Sequence, residues 1–317
     1  RRPWAALAGP GAIAAAAATA AVWVAYGMDP RPYLDVFCSQ LHDLGGGHRA
    51  YLMGSLSTRG WWYYYSVALA LKTPIPTMLP AAAGAVGLWR RGPAVRLELA
   101  FLAGPVAVFA AAFTLSPGKD IGVRYLLPVY PFLYVLAGQA ASAALDLGRA
   151  VASPGRWRAI AAAGLCAWYA VGTLSHHPHH LAYFNELAGG PRGGHRYLVD
   201  SNLDWGQDLK GLKRYMDERG VKRIALSYFG TVDPALYGLE YDWLPSYLLP
   251  RRPTEASGEP PQRGLVPVSV TNLAGVYLDL DGSMGRFFDR LRRLEPVATI
   301  GYSICVYDLD GGSEPTP

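Results

Sequence analysis

The sequence predicts a multi-pass α-helical membrane protein of about five transmembrane helices, followed by a small extracytoplasmic α/β domain. Three observations carry this. Of its 317 residues 51% are hydrophobic and only 17% charged, against roughly 25% charged in a soluble domain. Five long runs without a charged residue fall in the first 175 residues. The charge balance then changes: residues 1–175 carry 14 Lys+Arg against 6 Asp+Glu, whereas residues 176–317 carry 15 against 18. The charge deficit argues against a nucleic-acid partner, and Cys38, Cys166 and Cys305 are too few for a disulfide framework.

The five runs are Pro3–Met28, Thr73–Trp89, Leu99–Gly118, Tyr125–Leu145 and Ala159–Ser175. A spanning helix needs about 20 mostly apolar residues, because an ionised group at the bilayer centre costs several kcal/mol. The second and fifth runs lie at the short end of that range, and Pro74, Pro76 and Pro80 kink the second near its start. The first run is followed by four more, so it reads as an anchor rather than a signal peptide. Arg1 and Arg2, then Arg90, Arg91 and Arg96, then Arg149, Arg156 and Arg158 fall at alternate ends of successive spans. The preference of arginine for the cytoplasmic side puts all three clusters inside. That places the loop 29–72, the short loop Lys119–Arg124 and everything after Ser175 on the outer face of a bacterial cytoplasmic membrane. Trp61, Trp62 and Tyr63–Tyr65 suit the headgroup level, and Arg59–Leu71 reads as an interfacial helix.

From His176 the pattern is that of an α/β unit. Tyr197–Asp200 is a short apolar run closed by Asp200, Ser201 and Asn202. Leu203–Arg219 has helical spacing through Leu209, Leu212 and Met216, with Gly220 as its stop. Arg223–Phe229, Leu265–Asn272 and Ala298–Asp308 read as strands, Gly282–Leu294 as a helix, and Pro250–Gly264 as a surface loop.

Lys72, Lys119 and Arg124 stand where the outer ends of spans should be. A cation there can hold a phosphate whose lipid tail stays in the bilayer, with guanidinium giving paired hydrogen bonds and ammonium a compact charge. Asp120 orients or neutralises one of them, and His48 with Arg49 follows a flexible Gly45–Gly47 turn. Snorkelling of long side chains is the competing account. His176, His177, His179 and His180 suggest metal only weakly, so no ligand set is assigned and a divalent metal is the one cofactor left open. Asp200, Asp204 and Asp208 repeat every four residues, which suits helix capping or the binding of a cation or sugar hydroxyls. No nucleophile elbow, zinc-protease motif or dinucleotide fingerprint is present.

The strings Gly47–Gly54, Gly60–Tyr65 leading to Lys72-Thr73-Pro74, and Arg124-Tyr125-Leu126-Leu127-Pro128 resemble the later membrane part of bacterial glycosyltransferases of the protein O-mannosyltransferase and aminoarabinose transferase type. His179–Gly190, Asp200–Leu209 and Tyr228–Thr231 are similar to the outer domain of a bacterial subgroup. The resemblance runs from about Gly47 to Tyr241. It implies a membrane enzyme that takes a sugar from a polyprenyl-phosphate donor and passes it, with inversion, to a protein, lipid or glycan acceptor on the outer face. Lys72, Lys119 and Arg124 are then the lipid-phosphate-binding residues, supported by Asp120, His48, Arg49 and Tyr125. The acidic loop that carries the family's catalytic base has no counterpart here. The base is therefore unassigned, and the N-terminal half of the enzyme is expected upstream of Arg1. A lipid-phosphate transporter and a noncatalytic membrane-anchored interaction protein are the alternatives.

Overall fold

The computed structural model describes residues 3–29, 31–45, 48–115, 120–150, 155–249 and 259–311. The chain divides into two units, residues 1–47 and residues 48–317.

In the first unit, α1 (Pro3–Ala25) is apolar all round. Gly27 and Met28, both at positive φ, end the segment. The Asp29 carboxylate accepts from Arg31 N–H at 3.0 Å and from its Nε at 2.8 Å, opening α2 (Arg31–Gly45). A helix over Arg31–Gly45 was not expected; Tyr33 and Phe37, one turn apart, stack on each other.

The second unit begins with a hairpin, β1 (Ala50–Leu52) and β2 (Ser55–Ser57), turned by Met53 and Gly54 at φ 50° and 84°. Positive φ at both central residues matches the twist of such hairpins. Helix α3 (Tyr64–Lys72) is five residues shorter at its start than the pattern suggested. Thr73-Pro74 then breaks the chain, and α4 (Ile75–Arg90) restarts with Pro76 in its first turn, where its missing N–H costs nothing. Helices α5 (Arg96–Leu115), α6 (Tyr130–Ala150) and α7 (Gly155–Leu174) follow. Gly84 lets α4 lie against α6: a Cβ there would come within 1.9 Å of the Leu136 carbonyl. Two stretches, Arg96–Thr114 and Val123–Ala143, are long and apolar enough to cross a membrane, and Ala12–Ala25 and Ile160–Leu174 are shorter apolar helices. Leu79, Val86, Phe101, Val108, Val135 and Val171 are exposed on these helices, as they would not be in a water-soluble bundle.

The α/β part carries α8 (Pro191–Gly194), α9 (Leu209–Glu218), α10 (Val270–Ala274) and α11 (Gly282–Arg293). Strand β3 (Arg223–Leu226) runs parallel to β4 (Glu240–Trp243). Strand β5 (Leu265–Ser269) and β6 (Ala298–Ile300) flank β7 (Ile304–Asp308), both antiparallel to it. Ser227 N–H donates to Pro267 O at 3.1 Å and Ser227 O accepts from Ser269 N–H at 2.8 Å, so the order continues as β4-β3-β5-β7-β6. Alternation along β7 sorts the core. Ile304 and Val306 meet α9 through Leu212 and Met216, whereas Cys305 and Tyr307 lie with Phe287, Phe288 and Leu291 of α11. Helices therefore cover both faces.

Several element boundaries differ from expectation. The run Ala298–Asp308 is a hairpin rather than one strand, turned by Gly301 and Tyr302 at positive φ. Strand β5 stops at Ser269, where α10 starts, and α9 begins at Leu209 rather than Leu203. Tyr197–Asp200 runs into a 3-10 turn, Asp200–Asn202, instead of a ladder. In the loop Pro250–Gly264, residues 250–258 lie outside the described ones. The core also does not stop at residue 176: Tyr64, Tyr65, Ala68 and Leu71 of α3, with Leu126 and Val129, share one cluster with Phe184, Leu198, Leu203 and Val268.

Candidate functional site

That shared core brings the short loop 120–124 against the string Asp200–Gly206. Asp120 is buried and accepts the Trp61 N–H at 2.6 Å. Burial raises its carboxyl to about 6, against the pull of that bond. Gly122 sits so close to Ser201 that a Cβ would lie 2.2 Å from its Oγ. Ser201 Oγ donates to Ile121 O at 2.6 Å. Asn202, fully buried, accepts the Val123 N–H on Oδ1 at 2.9 Å and donates through Nδ2 to Tyr64 OH at 3.0 Å and Val199 O at 3.1 Å. Two residues from the distal domain thus splint the loop that carries Arg124.

Arg124 itself is exposed on the 3-10 turn Val123–Val129. Its guanidinium lies 5.1 Å from the Tyr125 ring centroid and 5.5 Å from that of Trp205. Tyr125 packs in turn against Phe113 and Tyr65. Guanidinium on an aromatic face keeps its N–H edge free for an anion. Asp200, held at φ 60°, is buried; its carboxylate accepts from the Tyr277 hydroxyl and the Ser201 N–H. Burial raises its pKa, and the Tyr277 bond, the Ser201 bond, Arg124 and His48 oppose that rise in that order. His48 and Arg124, from two distant parts of the sequence, thus both act electrostatically on the Asp200 carboxylate. Tyr277 stacks on Tyr247 at 4.1 Å, and Phe229 lies nearly parallel to both.

Lys72 is placed differently from the expectation of an open phosphate ligand. Its Nζ donates to Leu181 O at 2.8 Å and to Asn202 O at 2.5 Å and stands 4.3 Å from the Phe184 ring centroid. Burial lowers its pKa to about 7. With two carbonyls and a ring around it, the ammonium fastens α3 to the 181–202 segment. Arg49 is also committed, 2.6 Å from Asp279. Lys119 lies outside the described residues.

The three spaced carboxylates do not share one task. Asp204 is fully buried and accepts the Gly206 N–H at 3.0 Å. Burial first, and then Asp208, push it up to about 8 against the pull of the Gly206 bond, so its neutral form is favoured. Asp208 occupies the N-cap of α9 but its side chain caps nothing. It turns to Ser303, Gln207 and His179. Among the described residues no three His, Cys, Asp or Glu side chains are grouped to hold a metal ion. The site is thus an exposed guanidinium over two aromatic rings, with the buried Asp200 carboxylate acting on it electrostatically. Ser201, Asn202, Trp205 and Tyr277 were not foreseen as site residues, although the first three lie in a string that the family resemblance singles out.

No family model, no curated protein and no solved structure matches the chain.

Proposed function

We propose that this protein is a membrane glycosyltransferase that moves a sugar from a polyprenyl-phosphate donor to an acceptor on the outer face of the bacterial cytoplasmic membrane. In this reading α1, α4, α5, α6 and α7 supply five spans, the arginine clusters at their ends stay in the cytoplasm, and the α/β part faces outward. The observation that carries it is the exposed Arg124, its guanidinium 5.5 Å from the Trp205 ring centroid at the end of an apolar helix.

The physical argument concerns where charge develops. When the bond from the anomeric carbon to the phosphate oxygen breaks, negative charge grows on the lipid phosphate. A guanidinium already fixed at the bilayer surface stabilises that state more than the ground state, which is what accelerates a reaction. Asp120, Gly122, Ser201 and Asn202 hold the loop so that no reorganisation is needed as the charge appears. Trp205 lies over one face of the guanidinium, and the cation–π attraction helps to orient it.

The experiment is transfer of radiolabelled sugar from polyprenyl phosphate by the intact protein in nanodiscs. Arg124→Ala should abolish transfer without loss of expression or folding; full activity in that variant removes the assignment. Sugar carried across the bilayer without an acceptor would instead identify a transporter. No movement at all, with dispensable loop cations, would identify an anchor.

A further inference from the structure

Strands β4, β3 and β5 are neighbours that run the same way: β3 is parallel to β4, and the bridge from Ser227 to Val268 is parallel too. The chain leaves β3 for β4 on one side and returns to β5 on the other, so the winding changes direction at β3. Open α/β sheets bind their ligands outside the carboxyl ends of the strands at such a point. An aromatic residue follows each of these three ends: Phe229 after β3, Tyr247 after β4, and Tyr277 after β5 and α10. Phe229 lies 6.0 Å from Tyr247 and 6.1 Å from Tyr277, Tyr247 stacks on Tyr277 at 4.1 Å, and Trp205 joins Phe229 at 6.1 Å. The Arg124 guanidinium, 5.5 Å from the Trp205 centroid, continues the series. Phe229 is buried, whereas Trp205 is 47% and Tyr247 38% exposed.

Buried polar bonds fix these surface rings. Tyr228 OH donates to Gly206 O at 2.6 Å and so holds the turn that carries Trp205. Tyr228 N–H donates to Ser246 Oγ at 2.9 Å, and Ser227 Oγ donates to Pro245 O at 2.6 Å, which together hold the segment before Tyr247. The Tyr277 hydroxyl donates to the Asp200 carboxylate, and Asp200 N–H donates to Thr271 Oγ1 at 3.1 Å. Rings held this way lose little freedom when a ligand lands on them. The occupant must offer a weakly polar face to the rings and, next to it, an anion to Arg124. A pyranose joined through its anomeric oxygen to a phosphate does both. Its C–H groups meet the negative face of an aromatic ring, while its hydroxyls remain free to bond water.

We infer that Trp205 and Tyr247 form a platform for the sugar of the donor, a pyranosyl phosphate whose phosphate Arg124 holds; this rests on the glycosyltransferase reading above and places the sugar within it. Phe229 and Tyr277 back the platform from behind. The platform distinguishes the loaded donor from the spent polyprenyl phosphate, because only the first carries a ring to stack. Transfer of the sugar removes that contact and so favours release of the product lipid.

The test is equilibrium binding of four probes to the intact protein in nanodiscs: bare polyprenyl phosphate and its mannosyl, glucosyl and galactosyl esters. Wild type should bind at least one glycosylated probe about tenfold more tightly than the bare phosphate. Tyr247→Ala leaves the neighbours of Arg124 in place. It should bring that ratio to within about twofold of unity, with the affinity for bare phosphate and the melting temperature unchanged. Trp205→Ala should also erase the ratio, and Trp205→Phe should restore part of it. Arg124→Ala should weaken binding of all four probes together. Equal affinity of wild type for the bare and glycosylated probes overturns the platform, while the effect of Arg124→Ala on bare phosphate still reports on the phosphate site. A folded double variant, Trp205→Ala with Tyr247→Ala, that keeps the wild-type ratio overturns it as well. If Tyr247→Ala weakens all four probes equally, the ring is a bilayer anchor and the platform is overturned. A wild-type protein that binds no probe overturns the platform together with the reading beneath it.

Discussion

Lys72 and Arg124 carry the same charge and stand at the ends of neighbouring helical segments, yet the fold treats them in opposite ways. Lys72 is folded inward: two backbone carbonyls and the face of Phe184 surround its ammonium, and burial depresses its pKa to about 7. Arg124 is left on the surface, propped between Tyr125 and Trp205, with no hydrogen bond from its guanidinium to another of the described residues. An ammonium can be swallowed because it loses its proton at modest cost, whereas guanidinium stays charged and is kept where an anion can reach it. Position at a helix end identifies a cation; only the groups around it decide whether it binds a ligand or pins the fold.

Substitutions can break this contrast. Arg124→Ala carries the largest expected effect, a fall in kcat of at least a hundredfold with an unchanged melting temperature, and Arg124→Lys should restore only part because an ammonium lacks the paired N–H geometry. Lys72→Ala should do the reverse. It leaves the Leu181 and Asn202 carbonyls without a donor and is expected to cost about 2 kcal/mol, seen as a lower melting temperature, with activity per folded molecule within a few-fold of wild type. Lys72 also sets a pH signature. Between about pH 7 and 10.5 the unfolded chain binds a proton at this site that the folded one does not, so stability rises with pH across that window and Lys72→Met should flatten the rise.

Smaller changes sharpen the role of the loop beneath Arg124. Gly122→Ala drives a methyl group to 2.2 Å from Ser201 Oγ, which should cost about 2 kcal/mol. Combining it with Ser201→Ala leaves a contact near 3.3 Å, so most of that loss should return, a coupling that chemical denaturation of the double mutant can read. Asp120→Asn has the smallest expected effect. Burial raises the carboxyl from 3.8 to about 6, so the folded state holds more protons than the unfolded between those values and loses stability as pH rises through them. The amide still accepts from Trp61. The variant should melt slightly higher than wild type at pH 7 and should show no slope between pH 4 and 6.

Local signals made part of this legible. Gly220 and the apolar spacing of Leu209, Leu212 and Met216 define α9, and the charge-free runs locate α4 to α7 because period and length are properties of short stretches. The segment Leu203–Asp208 misled because tertiary contacts override its spacing. Gly206 is at φ 72°, Tyr228 OH donates to its carbonyl at 2.6 Å, and a Cβ there would meet that hydroxyl at 2.1 Å. That Asp120 and Arg124 share one short loop was readable from adjacency, whereas the partner of the carboxylate, the Trp61 N–H, was not. The splint by Ser201 and Asn202 was not, because its partners are about eighty residues away and several are backbone carbonyls, which no side-chain pattern specifies. For the same reason Asp208 looked like a helix cap, and its true partners, His179 and Ser303, lay in segments that carried no joint signal.

The most direct test of the central claim is equilibrium binding of polyprenyl phosphate to the nanodisc-embedded protein, comparing wild type, Arg124→Ala and Lys72→Met. The account predicts that Kd rises at least tenfold for Arg124→Ala and stays within about twofold for Lys72→Met. Equal affinity for wild type and Arg124→Ala would contradict it.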